Sequence, residues 1–169
     1  AIDAVHSNPN IIYIGAASGG VWKTTSGGQQ WEPIFDDQPI LNIGSIAIQQ
    51  SNPSVVWVGT GEGNPRNSLN IGEGIYRSLD AGKTWKHSGL EKSGVIQNII
   101  VHPQHPELVY ASCMGKVFGA NKERGVYRSK DGGKSWEQIL AKDDSTGCYD
   151  VKFDPNNPLI IYATLWQAH

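Results

Sequence analysis

Carboxylates, arginines, histidines and aromatic rings are the groups in this 169-residue chain that could hold or transform a ligand. A glycosidase needs two carboxylates flanking the scissile bond, ~5 Å apart for retention or ~6.5–9.5 Å for inversion. Glu62, Asp36, Asp37, Asp144 and Asp150 are available for that work, with Tyr149 or Trp166 as a stacking platform for a sugar ring. Glu62 and Asp150 are the catalytic candidates among them, but spacing along the chain does not set their separation. Other chemistry is thinly represented. His102-x-x-His105 has a metal-ligand spacing, yet no third ligand accompanies it and the pair falls in a turn that recurs at 49–52 and 154–157, so a solvated turn is expected and no metal. Gly59-Thr60-Gly61-Glu62-Gly63 superficially resembles a phosphate loop, but no helix N-terminus follows to hold an anion. Neither Cys113 nor Cys148 has a local His or Lys to favour a thiolate; two free thiols or one bridge both fit. No cofactor is implied.

The elements that must position these groups come from repetition. Three near-copies of one octapeptide recur: Thr24-x-Ser26-Gly27-Gly28-Gln29-Gln30-Trp31, Ser78-x-Asp80-Ala81-Gly82-Lys83-Thr84-Trp85 and Ser129-x-Asp131-Gly132-Gly133-Lys134-Ser135-Trp136. Their tryptophans lie 54 and 51 residues apart, a period that marks one small sheet per repeat. A second motif runs out of phase: Ser7-Asn8-Pro9 through Tyr13 matches Ser51-Asn52-Pro53 through Trp57, with looser copies around Pro106 and Pro158. Strand-like runs rich in Val, Ile, Tyr, Trp and Thr fill the intervals, at 43–48, 55–60, 74–79 and 84–88, and again at 95–101, 108–113, 125–129 and 135–140. No stretch carries a helical apolar stripe. The expected fold is all-β, a β-propeller of four-stranded antiparallel blades, with about three and a half blades at 1–35, 43–89, 95–140 and 147–169, the last incomplete.

Charge narrows the partners. Fourteen Lys and Arg against sixteen Asp and Glu leave a formal charge of −2, without a basic cluster for nucleic acid or an anionic membrane. No apolar run is long enough for a membrane span. The expected partners are a protein, peptide or glycan, together with remaining blades from the same chain or another copy.

The three octapeptides resemble Asp-box (bacterial neuraminidase) repeats, and the flanking Ser-Asn-Pro strands are similar to those of sortilin-type propellers and xyloglucanase-like glycoside hydrolases. The resemblance runs from Ser7 to Trp166 and specifies fold better than activity. It implies an exported protein, and a propeller of six to ten blades to which this chain contributes a part. A sialidase would need an arginine triad and a Tyr/Glu pair; only Arg66 and Arg124 stand outside the repeat, so sialidase activity is not expected.

Subtracting the repeat isolates the candidates for function. The box residues Ser26, Trp31, Asp80, Gly82, Trp85, Asp131, Gly133 and Trp136 are read as turn architecture, the acids and hydroxyls accepting turn N–H bonds and the glycines allowing positive φ. Each box Trp is expected to begin the fourth strand. Tyr13, Trp57, Tyr110 and Tyr162 form one aromatic column, Trp22, Tyr76 and Tyr127 another, both expected in packing. Ser45, Asn98 and Asp150 share a column on the innermost strand and are expected to point into the channel mouth. On that loop-rich face, unequal insertions at 61–73 and 114–123 are where specificity tends to lie. The candidate ligand-binding set is therefore Arg66, Asn64, Tyr149, Trp166, Asn98 and Ser45, beside Asp150 and Glu62. A non-catalytic binding or scaffold propeller is the first reading. A polysaccharide-directed glycoside hydrolase, its acid/base pair completed by further blades, is the alternative.

Overall fold

In the computed structural model, which describes residues 1–64 and 69–167, every regular element is a β-strand. The first sheet comprises β1 (Ile2–Ala4), β2 (Ile12–Gly15), β3 (Val21–Thr24) and β4 (Glu32–Pro33), hydrogen-bonded in that order. The second is β5 (Ile43–Ile48), β6 (Val56–Thr60), β7 (Ile75–Ser78) and β8 (Lys86–His87). The third is β9 (Ile96–Val101), β10 (Val109–Cys113), β11 (Gly125–Ser129) and β12 (Glu137–Leu140). β13 (Thr146–Phe153) and β14 (Ile161–Gln167) make a two-stranded fourth sheet. All pairings are antiparallel. Across sheets, β1 adjoins β5, β5 adjoins β9 and β9 adjoins β13, which puts the first strand of each sheet at a common axis. This is a β-propeller segment.

Each Trp-motif turn is built by side chains that satisfy its backbone. Asp80 Oδ1 accepts from Thr84 N–H at 2.8 Å and from Ser78 Oγ–H at 2.8 Å, and Oδ2 accepts from Thr84 Oγ–H at 2.6 Å. Asp131 repeats the pattern with Ser135 and Ser129. In the first copy Ser26 Oγ accepts from Gln30 N–H at 2.9 Å and shares a 3.2 Å hydrogen bond with Thr24 Oγ1, without a second oxygen to reach the side chain at position 30. The turns need left-handed backbone at two successive residues, φ 68° and 85° at Gly132 and Gly133, and Ala81 adopts φ 59° where the other copies have glycine.

The motif also joins neighbouring sheets. Trp85 Nε1–H donates to Ile34 O at 2.7 Å and Trp136 Nε1–H to Ser88 O at 2.6 Å, each reaching the sheet before its own. In the other direction, Lys23 Nζ donates to Ala81 O at 2.9 Å and Arg77 Nη1 to Gly132 O at 2.7 Å. Each of these cations lies over the aromatic ring of its own second strand, Lys23 over Tyr13 at 5.3 Å and Arg77 over Trp57 at 4.9 Å. A Cβ on Gly133 would overlap Ser88 Oγ and stand 2.7 Å from the Trp57 ring, so that glycine also permits the blade-to-blade approach.

Three expectations need correction. The box tryptophans precede the fourth strands, which begin at Lys86 and Glu137, because their indoles turn away to the preceding sheet. Tyr13, Trp57 and Tyr110 are buried as expected, the last beneath Phe153 of the following sheet, but Tyr162 in the same column is 59% exposed, since no following sheet covers it among the described residues. Tyr76 is covered edge-on by Phe35 at 5.4 Å, whereas Trp22 has no preceding sheet over it among the described residues and stays exposed.

Candidate functional site

The loops between second and third strands share one face with the connections entering the next sheet. Backbone bonds show it directly: Gly20 N–H to Leu41 O, Gly61 N–H to Asn42 O, Gly72 N–H to Gly94 O and Asn121 N–H to Asp144 O. The Trp-motif turns lie at the other end, bonded to the Asn-Pro turns through Ala81 N–H to Ser54 O and Gly132 N–H to Glu107 O. Unequal loops therefore collect on one face, as the sequence suggests.

On that face Tyr149 and Trp166 come together, their rings edge to face with centroids 6.2 Å apart. With Thr164 and Leu165 they line an open groove of about 390 Å³. Tyr149 is displayed by a β-bulge: Cys148 pairs with Leu165 and Asp150 with Thr164, leaving Tyr149 as the extra residue. The same irregularity leaves Gln97 unpaired in β9 and Gly44 unpaired in β5. This bulge column immediately precedes Ser45, Asn98 and Asp150, and sequence reasoning missed it because its three members share no residue type.

The Ser45, Asn98 and Asp150 column serves the joints between first strands. Ser45 Oγ–H donates to Ile96 O at 3.0 Å, and Asn98 Nδ2–H donates to Asp150 Oδ1 at 2.6 Å and to Val151 O at 3.1 Å. Asp150 also accepts from Val151 N–H at 2.9 Å and has Lys152 Nζ 3.6 Å from its second oxygen. These polar atoms tie one blade to the next, while the Asp150 side chain stays partly exposed. Asp3 does the same for the first sheet, accepting from Ile48 N–H at 2.8 Å, and burial raises its carboxyl above the usual range.

Glu62 is 3% exposed, its backbone N–H bonded to Asn70 O, so it is neither solvent-facing nor part of the Tyr149–Trp166 groove. Asn64 is exposed further along the same loop, and Arg66 lies outside the described residues. Arg124 proves to be a builder. It is 1% exposed and donates to Ser145 O, Lys116 O, Val117 O and Gly119 O at 2.7–3.4 Å, locking the 114–123 loop to the next connection. Asn121 Nδ2–H adds bonds to Lys116 O and Gly119 O.

The remaining candidates resolve structurally. His102 is buried, not solvated; its Nδ1 accepts from Gln104 and His105 N–H, as Asp154 Oδ1 accepts from Asn156 and Asn157 N–H in the equivalent turn. Burial lowers the His102 pKa, helped by His105. No three His, Cys, Asp or Glu side chains converge on a metal position among the described residues. Cys113 and Cys148 are buried free thiols, both pushed up to about 12 by burial. Hydrogen bonds from Thr84 and Ser78 hold Asp80 down at about 2, and Ser135 depresses Asp131 likewise.

Comparison with known proteins agrees with this geometry. The Sortilin-Vps10 profile, described as sortilin, neurotensin receptor 3, matches residues 73–167. A xyloglucanase from Paenibacillus sp. is 25% identical over 148 residues, covering 80% of this chain and 14% of that protein. An ancestral GH74 enzyme superposes over 100% of this chain and 22% of its own, with TM-score 0.74 at 21% identity. YCF48 bound to D1 peptide superposes over 91% of this chain and 44% of its own, with TM-score 0.60 at 17% identity. The chain thus spans 14% of the length of that xyloglucanase and 22% of that of the GH74 enzyme.

Proposed function

Because the chain belongs to the Sortilin-Vps10 family of β-propellers, related to xyloglucanase-like proteins, we propose that its loop-rich face binds a neutral polysaccharide chain, and binds without cleaving it. The observation that carries this reading is the Tyr149–Trp166 pair, two adjoining aromatic rings bordering an open groove. Flat apolar rings with polar edges nearby suit the apolar face and hydroxyl rim of a pyranose. The near-neutral chain, at −2, gives no electrostatic preference for a charged polymer.

Binding is favoured over hydrolysis by where the acids sit. Asp150 is engaged by Asn98, Val151 and Lys152, while Glu62 is buried in the loop after β6 of a different sheet. A glycosidase pair must face one bond from two sides, and these two residues do not share a groove. A second reading, that this face is one wall of a glycoside hydrolase cleft in a longer exported protein, is favoured by the xyloglucanase relatives.

Isothermal titration with xyloglucan oligosaccharides tests the proposal, alongside a reducing-sugar assay. Wild type should bind and release no reducing ends, and Trp166→Ala should lose most of the affinity. Hydrolysis abolished by Asp150→Asn or Glu62→Gln would replace the binding reading with the second one.

A further inference from the structure

We propose that the 114–123 loop is a second contact point for the same polymer, with Phe118 as its platform; the inference rests on the polysaccharide reading above. Phe118 is 61% exposed, which places a large apolar ring in water at a cost unless something covers it. The backbone carrying it is nevertheless fixed. Arg124, a nearly fully buried cation, donates to the carbonyls on both sides of Phe118, those of Val117 and Gly119, while Asn121 closes the same turn. A buried guanidinium that ties the loop backbone to the next connection, with an exposed aromatic on that loop, is how a contact residue is held ready before its ligand arrives.

The Phe118 site shares a buried support with the first groove. Tyr149 and Val117 pack on the same small cluster, around Val95 and Met114. Val117 and Val95 in turn line a cavity of about 140 Å³ with Phe118 and Ile71. Apolar contact points therefore stand on three blades over this shared support: Trp166 and Tyr149 on the fourth sheet, and Phe118 and Ile71 on the loops of the third and second. Contact points spread over three blades fit a linear chain of several units better than a single sugar, and Lys116 is the one charged residue lining the cavity beside Phe118 among the described residues. The face accordingly selects for length: Trp166 serves every ligand, and Phe118 only those long enough to reach it.

The test is calorimetric titration of the 169-residue chain with a neutral β-1,4-linked glucan disaccharide and hexasaccharide. Wild type should bind the hexasaccharide roughly ten-fold more tightly than the disaccharide, and Phe118→Ala should erase that difference while leaving the disaccharide unchanged. Arg124→Lys should do the same and open the 114–123 loop to limited proteolysis, which separates lost positioning from a lost ring. Hexasaccharide affinity unaffected by Phe118→Ala, in a wild type that binds, would overturn this inference alone. Failure of wild type to bind either sugar would instead remove the polysaccharide reading beneath it. Capture at Phe118 of an apolar hexapeptide in preference to the hexasaccharide would overturn the choice of polymer.

Discussion

Replacing Arg77 with methionine should cost about 2 kcal/mol of stability, and the reasoning can be followed bond by bond. Its Nη1 donates to Gly132 O at 2.7 Å, a charge-assisted bond worth roughly 1.5–3 kcal/mol. Its guanidinium lies 4.9 Å from the Trp57 ring centroid, adding roughly 0.5–2 kcal/mol. Two effects reduce the loss: methionine keeps the apolar stem packed, and the desolvation that lowers the Arg77 pKa is no longer incurred. Urea unfolding followed by tryptophan fluorescence should show a midpoint lowered by about 1 M, taking a slope near 2 kcal/mol/M. Arg77→Lys should lose only about half as much, because Lys23 makes the corresponding bond to Ala81 O one blade earlier. A methionine variant within ~0.5 kcal/mol of wild type, or a lysine variant no better than methionine, would refute the view that this cation clamps adjacent blades.

Further outcomes follow from single residues. Ala81→Gly should raise the melting temperature by about 2 °C, since alanine at φ 59° carries left-handed strain that exceeds the added unfolded-state entropy of glycine; a lowered melting temperature would contradict this. Gly133→Ala should cost ~3 kcal/mol or more because the new Cβ collides with Trp57 and Ser88, whereas Gly28→Ala, with only the Trp31 ring nearby at 3.8 Å, should cost markedly less; equal costs by thermal denaturation would remove the blade-contact argument. Asp80, at about 2, and Asp131 titrate below the ordinary carboxyl range of ~4, so the stability they contribute is present above pH ~4 and lost as pH falls through their folded values. Asp80→Asn should therefore flatten the acid limb of a stability–pH profile. At the alkaline end Tyr13 and Tyr127, raised by burial to about 12, favour the fold below pH ~10 and cease to do so as pH climbs toward 12.

Repeated contacts are legible in sequence because repetition exposes them. The box residues, the aromatic columns and a cation column of Lys23, Arg77 and Arg128 recur at fixed offsets; Lys23 and Arg77 reach the next Trp-motif turn, whereas no later such turn is among the described residues and Arg128 pairs with Glu137 in its own sheet. Tyr162 departs from its column because no following sheet covers it among the described residues. What stayed hidden depends on backbone. The bulge at Gly44, Gln97 and Tyr149 is a register event, invisible in residue type. Arg124 stands out in sequence as an unshared arginine, yet its partners are carbonyl oxygens, which every residue possesses. Asp150 and Glu62 stand out in sequence as acids near a loop-rich face; burial and neighbour bonding, which sequence does not report, set their surroundings.

The central claim, that the Tyr149–Trp166 face receives a sugar polymer, is tested most directly by following the indole N–H signals of the chain's six tryptophans in an NMR titration with a xyloglucan oligosaccharide. The signal of Trp166, 40% exposed at the groove, should move in a saturable way, while those of Trp85 and Trp136, tied to Ile34 O and Ser88 O, should stay in place. A stationary Trp166 signal at saturating oligosaccharide would contradict the account.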